Sequence, residues 1–184
     1  MQAMINEVME GAFTATDIEP ENIQAVHVGN FAGELLTMQA HPGSFPLNYD
    51  PVMRGIPTAR HEAACASGSV AALMARAEIE AGIYDLTMVL GVELMKSVDA
   101  ETGGNFLGAA AWYEKESKGI EFSFPKLFNR LYDELYSVND EHLAQISTLN
   151  YENAKRNPKA QTRKRFMNKE HALSTGDYKL SALD

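Results

Sequence analysis

One stretch constrains this chain more than any other. It is His61-Glu-Ala-Ala-Cys65-Ala-Ser-Gly-Ser69, which holds the only cysteine among 184 residues. It lies where extended chain gives way to helix. Upstream, residues 58–64 (Thr-Ala-Arg-His-Glu-Ala-Ala) read as a short strand. Downstream, Ala66 to Ala81 reads as a helix closed by Gly82 as a C′ stop. No charge occurs in that helix before Arg76, and a helix apolar on all sides is one that becomes buried. A cysteine at its start faces unpaired N–H groups and the positive end of the helix dipole, which favours thiolate and nucleophilic chemistry. The other reading of a lone cysteine among apolar neighbours is a small buried hydrophobe.

The flanking segments supply a sheet. Residues 86–92 (Leu-Thr-Met-Val-Leu-Gly-Val) form a nearly continuous apolar run, the pattern of a strand covered on both faces. Strand, helix and strand in this order predict a βαβ unit with a right-handed crossover. Nearer the start, Met1, Met4, Ile5, Val8, Met9, Ala12 and Phe13 recur at helical spacing and predict a helix over 1–15. A turn over 16–22 leads to a strand over 23–28 that ends at Gly29. His27, inside that strand, reads as a core histidine rather than a ligand or base. Residues 31–40 read as a short helix, and the three prolines and one glycine of 41–51 as a loop.

Beyond Lys96 the character changes. Residues 97–108 are polar and glycine-bearing, and 114–119 are a solvated charge run. Phe124, Leu127, Phe128, Leu131, Tyr132 and Leu135 predict an amphipathic helix, with Ser123 as cap and Pro125 in its first turn. Asn139-Asp140 can cap a second helix with Leu143, Ile146 and Ala154 on one face. The expected organisation is an α/β portion over 1–96 and a helical portion over 97–184.

Composition narrows the function classes. At 45% hydrophobic and 22% charged residues the chain is an ordinary globular sequence. No apolar run approaches the roughly 18 residues of a membrane span, and the first residues lack the basic and apolar pattern of a signal peptide. One cysteine cannot form an internal disulfide, so a reducing, cytoplasmic location is expected, or an organelle matrix in a eukaryote. The net charge of −9 argues against general nucleic-acid binding. No Walker loop, dinucleotide fingerprint or zinc-spaced Cys/His set occurs, so neither metal nor cofactor is expected. Lys155, Arg156, Lys159, Arg163, Lys164, Arg165 and Lys169 cluster in an otherwise acidic chain. They read either as a solvated basic face or as a phosphate site, since Arg forks and Lys point charges both bind phosphate.

Residues 55–69 (Gly-Ile-Pro-Thr-Ala-Arg-His-Glu-Ala-Ala-Cys-Ala-Ser-Gly-Ser) resemble the nucleophilic-cysteine segment of thiolases. Residues 79–95 (Ile-Glu-Ala-Gly-Ile-Tyr-Asp-Leu-Thr-Met-Val-Leu-Gly-Val-Glu-Leu-Met) resemble the helix end, strand and Gly-x-Glu-x-Met turn of the same family. Residues 141–146, 150–154 and 157–161 resemble its loop-domain helix, in the sterol-carrier-protein branch and its bacterial and archaeal relatives. The Gly-x-Glu-x-Met turn and the Asn-Pro-x-Ala-Gln segment favour a thiolase over a ketosynthase, which also uses a cysteine at a helix N-terminus.

The resemblance implies a thiolase-like layered αβαβα fold, of which this chain is the cysteine-bearing first half plus a helical loop domain. It implies acyl transfer between thioesters, with Cys65 as catalytic nucleophile and its backbone N–H as one oxyanion donor. Glu93 and His142 take structural roles in that pattern. Coenzyme A thioesters enter as substrate, Arg163 and Lys164 become candidates for the coenzyme A phosphates, and a homo-oligomer is expected. Departures from the pattern are the absent opening strand, Gly-His-Pro turn, Asn- or His-containing motif and second cysteine. A second half, as further chain or separate subunit, is therefore expected to complete the enzyme. The alternative is a non-catalytic thiolase-like subunit that binds acyl-CoA or scaffolds a complex.

Overall fold

The computed structural model describes residues 1–116 and 131–173. The chain falls into two compact units, Met1–Phe106 and Leu107–Asp184. The first is built on three parallel strands, β1 (Ala25–Gly29), β2 (Thr58–His61) and β3 (Thr87–Gly91), in the spatial order β2-β1-β3. Gly29 is level with His61 on one side and Gly91 on the other, so the strands finish at one height. Parallel neighbours need crossovers. Helix α3 (Ser67–Glu80) makes the one from β2 to β3 and packs on all three strands. This is a mixed α/β arrangement around a parallel sheet, the class expected above.

Alternation along β1 decides what each face of the sheet meets. Val26 and Val28 face the apolar stripe of α1 (Gln2–Thr16), where Ile5, Met9 and Phe13 recur every four residues. Ile23, Met53, Leu90 and Val92 complete this core. His27 and Gly29 face the other way, toward α3. The helix ends in a Schellman motif: Gly82 has a positive φ of 69°, its N–H donates to Ile79 O, and the N–H of Ile83 donates to Glu78 O.

Several expectations are corrected. Strand β2 stops at His61 rather than Ala64, because side chains capture the next backbone N–H groups, as described below. The loop over 41–51 contains one 3-10 turn, Pro42–Asn48, and leads into another, Pro51–Met53, each opening on a proline whose missing N–H costs nothing there. Helix α2 spans only Gly33–Thr37. This chain covers α3 only in part, as its apolar surroundings lead one to expect of a partial layer: α3 buries Ser67, Ala71 and Ala75, whereas Leu73 is 60% exposed, Met74 and Ile79 are exposed too, and so is Val89 on β3. Much of the polar, glycine-bearing 97–108 stretch is helix α4 (Ala100–Leu107), started by the Asp99 carboxylate, which accepts from Thr102 N (2.9 Å) and Thr102 Oγ1 (2.7 Å). The Ser97 hydroxyl donates to Leu36 O at 2.7 Å within the first compact unit.

In the second unit the described helices are α5 (Tyr113–Glu116), α6 (residues 131–136), α7 (Asp140–Arg156) and α8 (Lys169–Leu173). The expected helix start at Ser123, Phe124, Pro125, Leu127 and Phe128 lies outside the described residues. Asn139 caps α7, its Oδ1 accepting from the N–H of Glu141 (2.9 Å) and of His142 (3.4 Å). Acidic residues in the first turn and Lys155 and Arg156 in the last complement the helix dipole. Ala144 and Tyr151 of α7 pack with Ala172 of α8 and with Met167 just before it, while Ile146 is exposed and off the packed face. Among the described residues no helix is long and apolar enough to cross a membrane.

Candidate active site

Cys65 is exposed, in a 3-10 turn (Ala64–Ala66) between the carboxyl end of β2 and the start of α3. Its side chain is not packed among the buried residues of this unit. The turn requires an unfavourable backbone: Ala64 has φ 48°, a left-handed conformation costing an L-residue about 1–2 kcal/mol. Three hydrogen bonds offset this. The Ala64 N–H donates to Glu62 Oε1 (2.6 Å), the Ser67 hydroxyl donates to Ala64 O (2.7 Å), and the Ser67 oxygen accepts from Ala63 N–H (3.0 Å). Ser67 is buried, and its hydroxyl is used both as donor and as acceptor to hold the cysteine turn. The start of α3 also rests directly on β1. A Cβ built on Gly29 would lie 2.8 Å from both Cα and N of Gly68, so only glycine permits this approach.

The chain leaving each strand is cross-linked to its neighbours. Buried Asn30 donates through Nδ2 to Val92 O (2.8 Å) and Glu93 Oε1 (3.1 Å), and its Oδ1 accepts from Gly33 N–H (3.2 Å). The other Glu93 oxygen accepts from the N–H groups of Phe31 (2.8 Å) and Ala32 (3.2 Å). Glu93 is thus occupied in fastening the turn after β3 to the loop after β1, as expected of a structural residue. Arg60, near the end of β2, donates to the carbonyls of Asn30 and Phe31 and pairs with Glu34 at 2.7 Å. The hydrogen bond from Arg60 holds the Glu34 carboxyl below its usual range. A brace of this kind fixes the floor on which the cysteine turn sits.

A second polar cluster lies between the sheet and α3. His27 is 3% exposed. Its Nδ1 is 2.9 Å from His61 Nε2 and its Nε2 is 2.8 Å from Glu78 Oε2. The two rings stack with centroids 5.1 Å apart. Burial, then the neighbouring His27, pushes the His61 ring below its ordinary value, with Glu78 acting the other way. His27 is therefore a core histidine, as expected, but the sequence reading passed over both of its partners. Ser67, Glu62 and Asn30 were also passed over. Their roles follow from backbone geometry that no spacing in the sequence announces.

Arg163 and Lys164 are exposed residues of the second unit, whereas Cys65 belongs to the first. The Arg163 Nε donates to Lys155 O (3.3 Å) in the last turn of α7, a helix-capping contact. Lys155 itself lies over the Phe166 ring, 4.9 Å from its centroid. Among the described residues no three His, Cys, Asp or Glu side chains converge as a metal site.

Cys65 thus stands exposed at a helix start, beyond the carboxyl ends of a parallel sheet, the edge at which open α/β sheets bind ligands. The family described as Thiolase, N-terminal domain, matches residues 1–169, and the chain belongs to the thiolase family. It is 33% identical over 164 residues to an acetyl-CoA acetyltransferase of Methanothermobacter thermautotrophicus, covering 86% of this chain and 41% of that protein. It is 32% identical over 163 residues to an acetyl-CoA acetyltransferase of Methanocaldococcus jannaschii, covering 87% of this chain and 41% of that protein. The chain thus spans well under half the length of these relatives.

Proposed function

We propose that this chain is the cysteine-bearing portion of a thiolase-type acyltransferase and that Cys65 is its nucleophile. The observation that carries the reading is the exposed Cys65, fixed at the head of α3 by Ser67 and Glu62. The names of the two archaeal relatives support coenzyme A thioesters as the substrate class. In the forward step the Cys65 thiolate adds to the thioester carbonyl carbon and the bond to the coenzyme A sulfur breaks. The leaving thiolate takes up a proton, and the acyl group remains on Cys65 as a new thioester. A second thiolate, or the enolate of an acyl-CoA, then takes it. The acid/base groups and the remaining oxyanion donors would come from a second half, as further chain or separate subunit. The Asn157-Pro-Lys-Ala-Gln161 segment supports the sterol-carrier-protein branch of the family.

Exposed Leu73, Met74 and Ile79 on α3, Ile83 at its exit and Val89 on β3 support a covering layer supplied from outside this unit or by self-association. Size-exclusion chromatography and a thiolysis assay test this together. The isolated chain is expected to associate and to turn over no 3-ketoacyl-CoA, and addition of the second half is expected to restore activity. A stable monomer with full turnover contradicts the reading. An assembled protein that binds acyl-CoA without accepting the acyl group would establish the non-catalytic subunit instead.

Arg163 and Lys164 are proposed to meet the coenzyme A phosphates. Changing both to glutamine is expected to weaken acyl-CoA binding by about 1 kcal/mol, roughly fivefold, and to flatten its dependence on salt. A titration series with unchanged affinity at every ionic strength returns them to a solvated basic face.

A further inference from the structure

Between the sheet and α3, a glutamate and two histidines are joined in a line. Glu78 belongs to α3, His27 to β1 and His61 to the last position of β2. The contacts of 2.8 Å (His27 Nε2 to Glu78 Oε2) and 2.9 Å (His27 Nδ1 to His61 Nε2) are both hydrogen bonds. The line therefore ties the helix headed by the cysteine turn to the two strands beneath it. It enters β2 four residues before Cys65, and the His61 carbonyl accepts from Asn30 N–H (3.2 Å), the residue that braces the strand ends.

We propose that Glu78, His27 and His61 are positioning residues for Cys65, forming a proton-sharing clip that holds the cysteine turn while the two rings carry at most one added proton and releases it when both are protonated. The positioning role rests on the reading of Cys65 as nucleophile; the clip itself does not.

Proton counting carries this. With Glu78 ionised, His27 donates through Nε2–H to the carboxylate, and its bare Nδ1 accepts from His61 Nε2–H. One further proton leaves both bonds intact. It sits on His61 Nδ1, or the cation moves to His27, which then donates to Glu78 and to His61 at once. With two added protons, N–H faces N–H across 2.9 Å and the ring–ring bond is lost, with like charges in contact.

The surroundings offer no other relief. β3 contributes no titratable side chain over Thr87–Gly91. Arg60 is committed to Glu34 and to backbone carbonyls, Glu62 to Ala64 N–H, and Arg76 to Glu80 at 2.7 Å. The downward push on His61 agrees with this picture. A histidine depressed in the folded state contributes stability that is present above its unfolded value of about 6.5 and lost as pH falls through the folded value.

The test compares wild type, His61→Gln and His61→Leu in the full chain. Glutamine keeps a donor near the Nε2 position and cannot be protonated; leucine removes the donor at every pH. Hydrogen–deuterium exchange of the amides over 61–67, corrected for intrinsic rate, is read at pH 7.5 and pH 5, with ring nitrogen NMR to report the tautomers. In wild type the turn is expected to lose protection severalfold at the lower pH. His61→Leu should be open at both values, and His61→Gln closed at both. NMR should show His27 and His61 as Nε2–H tautomers at pH 7.5. Equal acid opening in wild type and His61→Gln overturns the proposal, and that comparison stands even if the leucine variant fails to fold. These readouts need no acyl-CoA, so a Cys65 that never takes up an acyl group would defeat the functional reading while leaving the clip standing. Cys65 alkylation at pH 7.5 supplies the link: a rate in His61→Leu equal to wild type overturns the positioning role, and its restoration in His61→Gln supports it.

Discussion

Changing Cys65 to alanine is expected to abolish acyl transfer by the assembled enzyme, with a loss on the order of 10⁴-fold or more, as when a nucleophile that acts as a unit with its partners is removed. Alanine keeps the backbone and removes only the sulfur, so the fold provides a control. Cys65 is exposed, and its truncation empties no core space, so thermal stability should change by less than about 0.5 kcal/mol. Serine should leave a trace of activity, because a hydroxyl occupies the site without the acidity or nucleophilicity of a thiol. Acyl-CoA binding should survive in both variants. Undiminished turnover in the alanine variant would remove Cys65 from the chemistry, whereas lost turnover accompanied by lost folding would leave a structural role as the explanation. Steady-state kinetics beside a melting curve separates these outcomes.

The second large effect is expected at Gly29. An alanine there places Cβ 2.8 Å from two backbone atoms of Gly68. No flexible side chain can move aside to make room, so the start of α3 must lift from β1. Overpacking of this kind costs about 1–3 kcal/mol. The displaced helix start carries Ser67, whose hydroxyl holds Ala63 and Ala64, so the cysteine turn should loosen with it. Denaturant melts are expected to show the loss of stability, and alkylation of Cys65 should change rate under native conditions. A Gly29→Ala protein that melts with wild type and reacts at the wild-type rate would show that the helix start does not bear on β1 as described.

What was legible in the sequence follows from periodic and chemical signals. The apolar stripe of α1, the glycine stop after α3 and the Asn139 cap of α7 are local patterns, and each appears in the structure within a residue or two. The cysteine at a strand-to-helix turn was legible for the same reason. The shape of that turn was not. Alanine is an unlikely resident of left-handed backbone space, and Ala64 adopts it because Glu62 and Ser67 capture its polar groups. Those captures also explain why the strand ends early. Glu78, His27 and His61 were illegible as a group because they come together only through strand register. His61 lies level with Gly29, two residues beyond His27 and on the same face. The exposed side of α3 was legible only as a need for covering layers. An apolar sequence states that cover is needed, but not whether this chain provides it.

The most direct measurement on the central claim is to incubate the protein, together with its second half, with acetyl-CoA, quench in acid and map the acylated peptide by mass spectrometry. One acetyl group is expected on the peptide that contains Cys65, removable by free coenzyme A and absent from the alanine variant. An assembled protein that turns over substrate with no acyl group on Cys65, or with the acyl group on another residue, would contradict it.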